Sequence, residues 1–222
     1  MDFATIARQI LIAAPPILIA ITFHEVSHGL VAYKLGDPTA KRLGRLTLNP
    51  LAHIDIFGTV LLPAILIIMT SGQFVFGYAK PVPINPMNFK NPRRDMAISA
   101  AAGPITNIIL AVVSVIILKL IITPLAMISP AFVSRTVFIP LIMMLQLSAL
   151  VNIVLALFNM IPIPPLDGGR VLTGLLPHKQ AVSFSKIEPF GFIIVLLMIY
   201  TGMAGAIIEP VINFFKRLFN LY

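Results

Sequence analysis

The sequence predicts an all-α membrane protein with several bilayer-crossing helices, and its composition and hydropathy carry this prediction. Of its 222 residues, 58% are hydrophobic and 11% are charged, and the mean hydropathy is +0.98. A soluble domain of this length needs more charged side chains to cover its surface. Apolar runs of about twenty residues, the length that crosses the hydrocarbon core as a helix, recur along the chain. Because cysteine is absent, disulfides and thiolate metal sites are excluded.

Four apolar segments are long enough to span the bilayer, and they predict a bundle of four to six transmembrane helices. They cover approximately residues 10–33, 97–120, 136–161 and 189–208. A fifth segment, residues 58–70, is short and contains Pro63, which predicts either a short span or a re-entrant segment. The aromatic and basic tail, residues 211–222, predicts an interfacial amphipathic end. No linker divides the chain, so one domain over residues 1–222 is expected.

The segments that flank residues 58–70 differ from the apolar runs. Apolar and polar residues roughly alternate in them, with Gly, Pro and Asn at intervals. This pattern predicts short membrane-associated strands or loops near residues 43–56 and 73–84. A strand edge here is a hypothesis for how an extended substrate peptide pairs with the chain.

The net charge of +8 is interpreted as a feature that sets the orientation of the protein in the membrane. It does not indicate nucleic-acid binding, because the basic residues lie in short groups between apolar spans. Cytoplasmic loops of membrane proteins collect Lys and Arg. If residues 58–70 do not change sides, eleven basic residues lie on one side of the membrane and five on the other. The more basic side holds the end of the first span, so this end is predicted to face the cytoplasm.

A cluster of ionisable residues interrupts the first apolar segment in the motif HEVSH, residues 24–28. On a helix, His24 and His28 are four residues apart and lie on one face, where both can bind one metal ion. Glu25 stands beside the first histidine and can take a proton from a water molecule, as zinc hydrolases require. The alternative is a polar cluster that hydrogen-bonds neighbouring helices. Ionisable groups at membrane depth more often mark a functional site.

A catalytic zinc site needs a third protein ligand, and Asp167 is the strongest candidate among the eight acidic residues. It follows the third span in NMIPIPPLDGGRVL, where three prolines are expected to unwind the helix. A carboxylate on an unwound segment at this depth is costly unless it lines a cavity or binds a cation. The alternative is that Asp167 caps a helix that begins near Gly168.

Three motifs together resemble the site-2 protease family of intramembrane zinc metalloproteases. They are HEVSH in a membrane helix, AAGPITN at the start of the next, and NMIPIPPLDGG at the end of a later one. The resemblance covers roughly residues 10–190, and GRLTLNPLAHIDIFGTVLLP is similar to a compact bacterial and archaeal subgroup without PDZ or CBS domains. The resemblance implies that His24, His28 and Asp167 bind one Zn²⁺ ion per chain and that Glu25 is the general base.

The resemblance also implies a function and a location. The expected activity is hydrolysis of peptide bonds in membrane-anchored protein substrates, within or near the cytoplasmic half of the bilayer, as in regulated intramembrane proteolysis. The expected location is the cell membrane of a prokaryote. The expected partners are therefore substrate proteins and lipid, and not nucleic acid.

Further polar residues offer less specific signals. Asn152 and Asn159 are seven residues apart and lie on one face of the third span, where they can donate to a substrate carbonyl or oxyanion. Interhelical hydrogen bonding is an equally good interpretation of both. Asn107 is expected to be structural. His53 is interpreted as a polar interfacial histidine in preference to a metal ligand, and His178 as a loop residue.

The principal alternative function is a membrane transporter or metal permease with a buried His and Asp cation site. Transporters also use broken helices and buried charges, but they usually contain two related halves. Here each candidate ligand motif occurs once, in a dissimilar context. A catalytically silent relative is disfavoured because Glu25 is present in the motif.

Overall fold

The computed structural model describes residues 2–69 and 77–219, and over these ranges the chain is mainly helical. In chain order the α-helices are α1 Phe3–Lys34, α2 Thr39–Arg42, α3 Leu62–Met69, α4 Pro92–Ile117, α5 Thr123–Ile128, α6 Ala131–Val133, α7 Ile139–Asn159, α8 Asp167–Leu175, α9 His178–Ser185, α10 Glu188–Tyr200 and α11 Met203–Phe219. Single turns of 3-10 helix cover Pro50–His53 and Pro86–Asn88, and π-helical turns cover Ile56–Leu61, Leu118–Ile122 and Ser134–Phe138.

Helix α1 corresponds to the first predicted span and carries the HEVSH motif. It begins after Asp2, whose carboxylate accepts a hydrogen bond from the Thr5 backbone N–H. The helix continues through Pro15 and Pro16. It ends just before Gly36, whose φ of 111° is a conformation that glycine adopts without strain.

Three helices of the described residues are long and apolar enough to cross a membrane. They are Ala7–Lys34, Pro92–Ile128 and Ala131–Asn159, the last two continuous through π-helical turns. A fourth is obtained if α9 and α10, which meet at a bend of 65°, are counted as one span. The predicted class, an all-α membrane protein with several spans, is confirmed.

The fourth apolar segment, residues 189–208, is divided between two helices. α10 ends at Tyr200 and α11 begins at Met203, and Gly202 between them has a φ of 77°. Only glycine adopts such a backbone conformation without a steric cost, which explains why the helix ends here. Of the predicted interfacial tail, residues 211–219 belong to α11, and residues 220–222 lie outside the described residues.

The prediction of strands beside residues 58–70 is wrong for the residues that the structure describes. Residues 43–55 form loops and a 3-10 turn, Ile56 begins a π-helical turn, and the described part of the second segment, residues 77–84, is irregular. Isolated hydrogen bonds hold this part: Tyr78 N–H donates to Gly58 O and Lys80 N–H to His53 O, each at 3.0 Å. The next N–H on the same side, that of Val82, donates to Glu25 Oε2 and not to a strand, and Pro81 and Pro83 have no N–H for a strand on the other side. The remaining residues, 73–76, lie outside the described ranges.

Helix α4 lies at the centre of the bundle and packs against α1, α7 and α8. Its inward face carries small and polar residues, including Ser99, Gly103, Asn107, Ala111 and Ser114, all of them buried. Its large aliphatic residues point outward and are 40–54% exposed at Ile98, Ile105 and Ile108. Helices in a bilayer associate through small residues and polar contacts, because lipid already solvates aliphatic side chains. This packing places polar groups of α4 beside the histidines of α1.

Candidate metal and active site

The two motif histidines lie one helical turn apart on the buried face of α1. His24 and His28 are each 7% exposed. Their Nε2 atoms are 3.1 Å apart, and the rings meet edge to face with a centroid distance of 4.6 Å. Both imidazoles therefore direct the same nitrogen to one point inside the bundle.

Asp167 reaches this point from the first turn of α8. Its Oδ2 atom lies 3.1 Å from His24 Nε2 and 3.3 Å from His28 Nε2. Leu166, and not Asp167, occupies the N-cap position of α8. Glycines allow this placement, because a Cβ at Gly168 or Gly169 would come within 3.0 Å of the backbone of residues 160–164. The unwound segment that follows α7 thus lies directly against the start of α8.

The hydrogen bonds of the two imidazoles determine which nitrogen can bind a cation. His28 Nδ1 lies 2.7 Å from Ser99 O, and a carbonyl oxygen only accepts, so Nδ1 carries the proton. His24 Nδ1 lies 2.5 Å from Asn107 Oδ1 and donates to it. In the neutral imidazoles each Nε2 then presents a lone pair. Outer hydrogen bonds of this kind are usual for metal-binding histidines.

The resulting donor set suits a divalent cation. Two Nε2 lone pairs and a carboxylate oxygen lie within 4.8 Å of one another, and Asp167 Oδ2 is buried with no hydrogen-bond donor. Three acceptors without a proton between them repel unless a cation joins them. Two His and one carboxylate form a ligand set of catalytic zinc sites, in which a fourth position stays open. These residues therefore fit zinc.

Helix α4 leaves space for the site at Gly103. A Cβ there would lie less than 3.0 Å from His28 Nε2 and from His24 Cε1. Real Cβ atoms do not make such contacts, so any side chain at this position would displace the imidazoles. The glycine of the AAGPITN motif is required by the histidines and not only by helix packing.

Glu25 lies at the edge of the site. It is half-buried on α1, and its Oε2 atom accepts a hydrogen bond of 2.8 Å from the Val82 backbone N–H. Val82 is buried against α1. A Cβ built on Gly29 of this helix would come within 3.0 Å of the Val82 side chain. Arg45 Nη2 donates to Lys80 O at 3.0 Å, one residue before Pro81. The irregular segment therefore borders the site on the Glu25 side.

The other predicted site residues occupy different positions. Asn152 is fully buried, and its Oδ1 accepts from Asn107 Nδ2 at 2.6 Å. Asn159 is half-buried near the end of α7 and donates to Leu155 O at 2.9 Å. His53 is buried with Nε2 2.9 Å from Thr47 O, and it is not part of the metal-binding group found among the described residues. His178 is exposed at the start of α9.

Three contacts of the site involve residues to which sequence reasoning gave no part in the chemistry. Ser99 and Asn107 hold the imidazoles, and Val82 contacts Glu25. A signal for the first two was present, because Ser99, Gly103 and Asn107 recur at four-residue spacing on one face of α4. Val82 contacts Glu25 through its backbone N–H, which nearly every residue type has, so the sequence could not indicate this contact.

Comparison with known proteins agrees with this geometry. The family model of Peptidase family M50 matches residues 12–201. The "Putative zinc metalloprotease YwhC" of Bacillus subtilis is 37% identical over 197 residues, covering 89% of this chain and 84% of the relative. A protein of Mycolicibacterium smegmatis with the corresponding name Rip2 is 30% identical, covering 83% of this chain and 64% of the relative.

A Rip2 protein of Mycobacterium tuberculosis is 28% identical over 181 residues, covering 82% of this chain and 63% of the relative. No solved structure matches the chain. The family match extends from α1 through α10 and includes both halves of the candidate metal group. The chain belongs to Peptidase family M50, the site-2 protease family, and is an intramembrane zinc metalloprotease.

Proposed function

We propose that this protein cleaves membrane-anchored protein substrates at a zinc site formed by His24, His28 and Asp167, with Glu25 as the general base. One observation carries the proposal: three buried ligand atoms from two distant parts of the chain lie within 4.8 Å of one another. Membrane-buried ionisable groups are costly unless they serve such a site. The ligand set also matches the hydrolase class of the family.

Each residue of the site has a defined part in this chemistry. The histidines bind through Nε2, and Asp167 binds through its carboxylate. A zinc ion held there supplies a Lewis acid that acidifies water and polarises a carbonyl group. Glu25 accepts a proton from the attacking water and later donates it to the leaving amine. Its position next to His24 and its half-buried state suit a group that meets both water and substrate.

The substrate must present an unwound peptide bond to this site. A helical substrate holds its carbonyls in hydrogen bonds to residues four positions along, so local unwinding precedes attack. Asn159 is proposed as a donor to the substrate, because its amide has two N–H groups and Leu155 O accepts one of them. Asn152 has both ends of its amide engaged within the protein, which favours a different role for it.

The proposed location is the cytoplasmic half of a prokaryotic cell membrane. The basic residues of the loops around the HEVSH end of α1 support this orientation. Bacterial origin of the relatives named above supports the choice of membrane. Single-span proteins anchored in that membrane are the substrate class that fits an intramembrane endopeptidase.

The test uses the purified full chain in detergent with a labelled single-span substrate. Zinc content is measured first, and cleavage by the wild type is then compared with cleavage by Glu25→Gln. The variant is expected to bind zinc normally and to lose cleavage, because only the proton acceptor is removed. Glu209→Gln, an exposed change on α11, is the matched control and should cleave at the wild-type rate. Equal cleavage by wild type and Glu25→Gln contradicts the mechanism, and vectorial zinc flux in liposomes without proteolysis favours a transporter.

A further inference from the structure

Asn107, on α4, lies where this helix meets α1 and α7, and its side chain contacts polar groups of both. It is fully buried on α4. Its Oδ1 atom is 2.5 Å from His24 Nδ1, and its Nδ2 atom is 2.6 Å from Asn152 Oδ1 and 3.3 Å from Ala20 O. One amide therefore links the histidine helix α1 to α7 through α4.

Hydrogen bonds run from Asn152 through Asn107 to His24. Backbone carbonyl oxygens, which can only accept, determine which atom donates in each of these bonds. Asn152 Nδ2 lies 2.8 Å from Ser148 O, which can only accept, so Asn152 must turn its oxygen toward Asn107. Asn107 therefore donates from its NH₂ group to Asn152 Oδ1, and the same NH₂ group faces the carbonyl oxygen of Ala20. The remaining atom of the Asn107 amide, its oxygen, then faces His24. This oxygen requires the proton of His24 to be on Nδ1.

We propose that Asn107 and Asn152 are positioning residues that set the tautomer and ring orientation of His24, and so hold its Nε2 lone pair ready for zinc. A neutral imidazole carries one proton, and a proton on Nε2 would block binding. The inference rests on the proposed function, in which His24 binds zinc through Nε2. It gives Asn152 a role through Asn107 in place of contact with substrate.

A merely structural role, the linking of α4 to α7, makes a different prediction. The same two helices are joined two turns away by Ser114 Oγ and Ser148 Oγ, which are 2.8 Å apart. That contact does not reach a histidine. Ser148 Oγ also lies 3.4 Å from Asn152 Nδ2, but the shorter bond of Asn152 Nδ2, 2.8 Å to Ser148 O, does not need this hydroxyl. Ser114→Ala is therefore a matched control that removes a part-buried interhelical hydrogen bond and leaves the hydrogen bonds from Ser148 O to His24 in place.

The test measures zinc affinity by competition with a chromophoric chelator, and thermal unfolding of the zinc-free protein in detergent. Asn107→Leu is expected to lower zinc affinity by roughly 10–100-fold, the usual effect of losing an outer partner of a metal-binding histidine. Asn107→Asp keeps an acceptor for His24 Nδ1–H and is expected to retain most of the affinity, although its buried charge lowers the unfolding temperature. Ser114→Ala is expected to bind zinc as the wild type does.

The outcomes separate this inference from the proposed function. Zinc affinity that follows the unfolding temperature through all the variants, with Asn107→Asp lowest, overturns the positioning role. If Asn107→Leu does not fold, Asn152→Leu tests the positioning role instead. Without Asn152 Oδ1 as acceptor, Asn107 can turn its NH₂ group toward His24. Asn152→Leu must bind zinc more weakly than Ser114→Ala, and equal affinity overturns the inference. A wild-type protein without a zinc site contradicts the proposed function itself.

Discussion

The two sides of the candidate active site, that of the proposed metal ligands and that of Glu25, are built differently. On the ligand side, His24, His28 and Asp167 are each 7% exposed, and the outer hydrogen bonds of the imidazoles come from α4. On the other side, half-buried Glu25 is contacted by the backbone of Val82, from an irregular segment. Buried helices open rarely, whereas irregular segments open at low free-energy cost. The proposed metal ligands are thus held by the bundle, and the Glu25 carboxylate by a segment that can move without disturbing the bundle.

The largest expected effect comes from changing a proposed zinc ligand on the buried side. Asp167→Asn keeps the shape of the side chain but removes the charge that balances a divalent cation. We expect zinc affinity to fall by more than the roughly 10–100-fold typical of outer-partner changes, with loss of cleavage. Zinc content after purification and chelator competition measure this. Glu188→Gln, an exposed carboxylate change on α10, should retain zinc, and full zinc content in Asp167→Asn would contradict the assignment.

The next effect tests how closely α4 must approach the histidines. Gly103→Ala favours the helix by up to about 1 kcal/mol through intrinsic propensity. We nevertheless expect zinc affinity to fall about 10-fold or more, because the new Cβ comes within 3.0 Å of both imidazoles and must displace them. The control is Gly205→Ala in α11, where a Cβ meets nothing within 4 Å. Wild-type zinc affinity in Gly103→Ala would show that the space at Gly103 is not needed.

Sequence reasoning predicted the positions of the proposed ligands better than the structure of the segment beside Glu25, and the reason is physical. Helical spacing alone puts His24 and His28 on one face, and hydropathy alone identifies the long spans. The link from Asn107 to His24 joins residues 83 positions apart, and no local pattern encodes which polar residue faces a neighbouring helix. It becomes evident only when α4 is packed against α1.

The irregular segment shows the opposite difficulty. Alternation of apolar and polar residues predicted strands, but Pro81 and Pro83 have no N–H to donate, and the N–H of Val82 between them donates to Glu25 Oε2 instead of to a strand. The segment is held instead by single hydrogen bonds to groups of α1 and of other loops. Such contacts depend on tertiary positions and not on residue periodicity. The same argument explains why Val82, an ordinary aliphatic residue, gave no sign of its contact with Glu25.

A smaller effect is expected at Asp37, which anchors the C-terminal end of the irregular segment beside α1. Four donors reach its carboxylate: Thr39 N–H, Thr39 Oγ1, Asn88 Nδ2 and Asn85 N–H. Burial acts to raise the pKa of Asp37, but these hydrogen bonds outweigh it and hold the pKa below its usual value. The carboxylate is therefore a stabilising group as long as it is ionised.

The pH dependence follows from the sign of this shift. A carboxyl group whose pKa is lower in the folded state stabilises the protein above its unfolded pKa of about 3.9, and this stabilisation is lost as the pH falls through the folded value. We expect Asp37→Asn to lower the free energy of unfolding at pH 7 by about 1–3 kcal/mol. The difference from wild type should shrink as the pH is lowered below about 4. Thermal unfolding in detergent measures it, and a difference independent of pH would contradict the role of the charge.

The smallest effect should appear on the Glu25 side when Arg45, which holds the irregular segment near Val82, is changed to alanine. Arg45 Nη2 donates to the carbonyls of Lys80 and Pro81 at 3.0 and 3.4 Å. Without it, local opening should cost about 1 kcal/mol less, so amide hydrogen exchange at Val82 should be about 5-fold faster. Zinc affinity in Arg45→Ala should remain that of the wild type, because the ligand side has its own buried contacts. Arg42→Ala, an exposed neighbour, should change neither quantity, and a loss of zinc in Arg45→Ala would mean that the two sides are coupled.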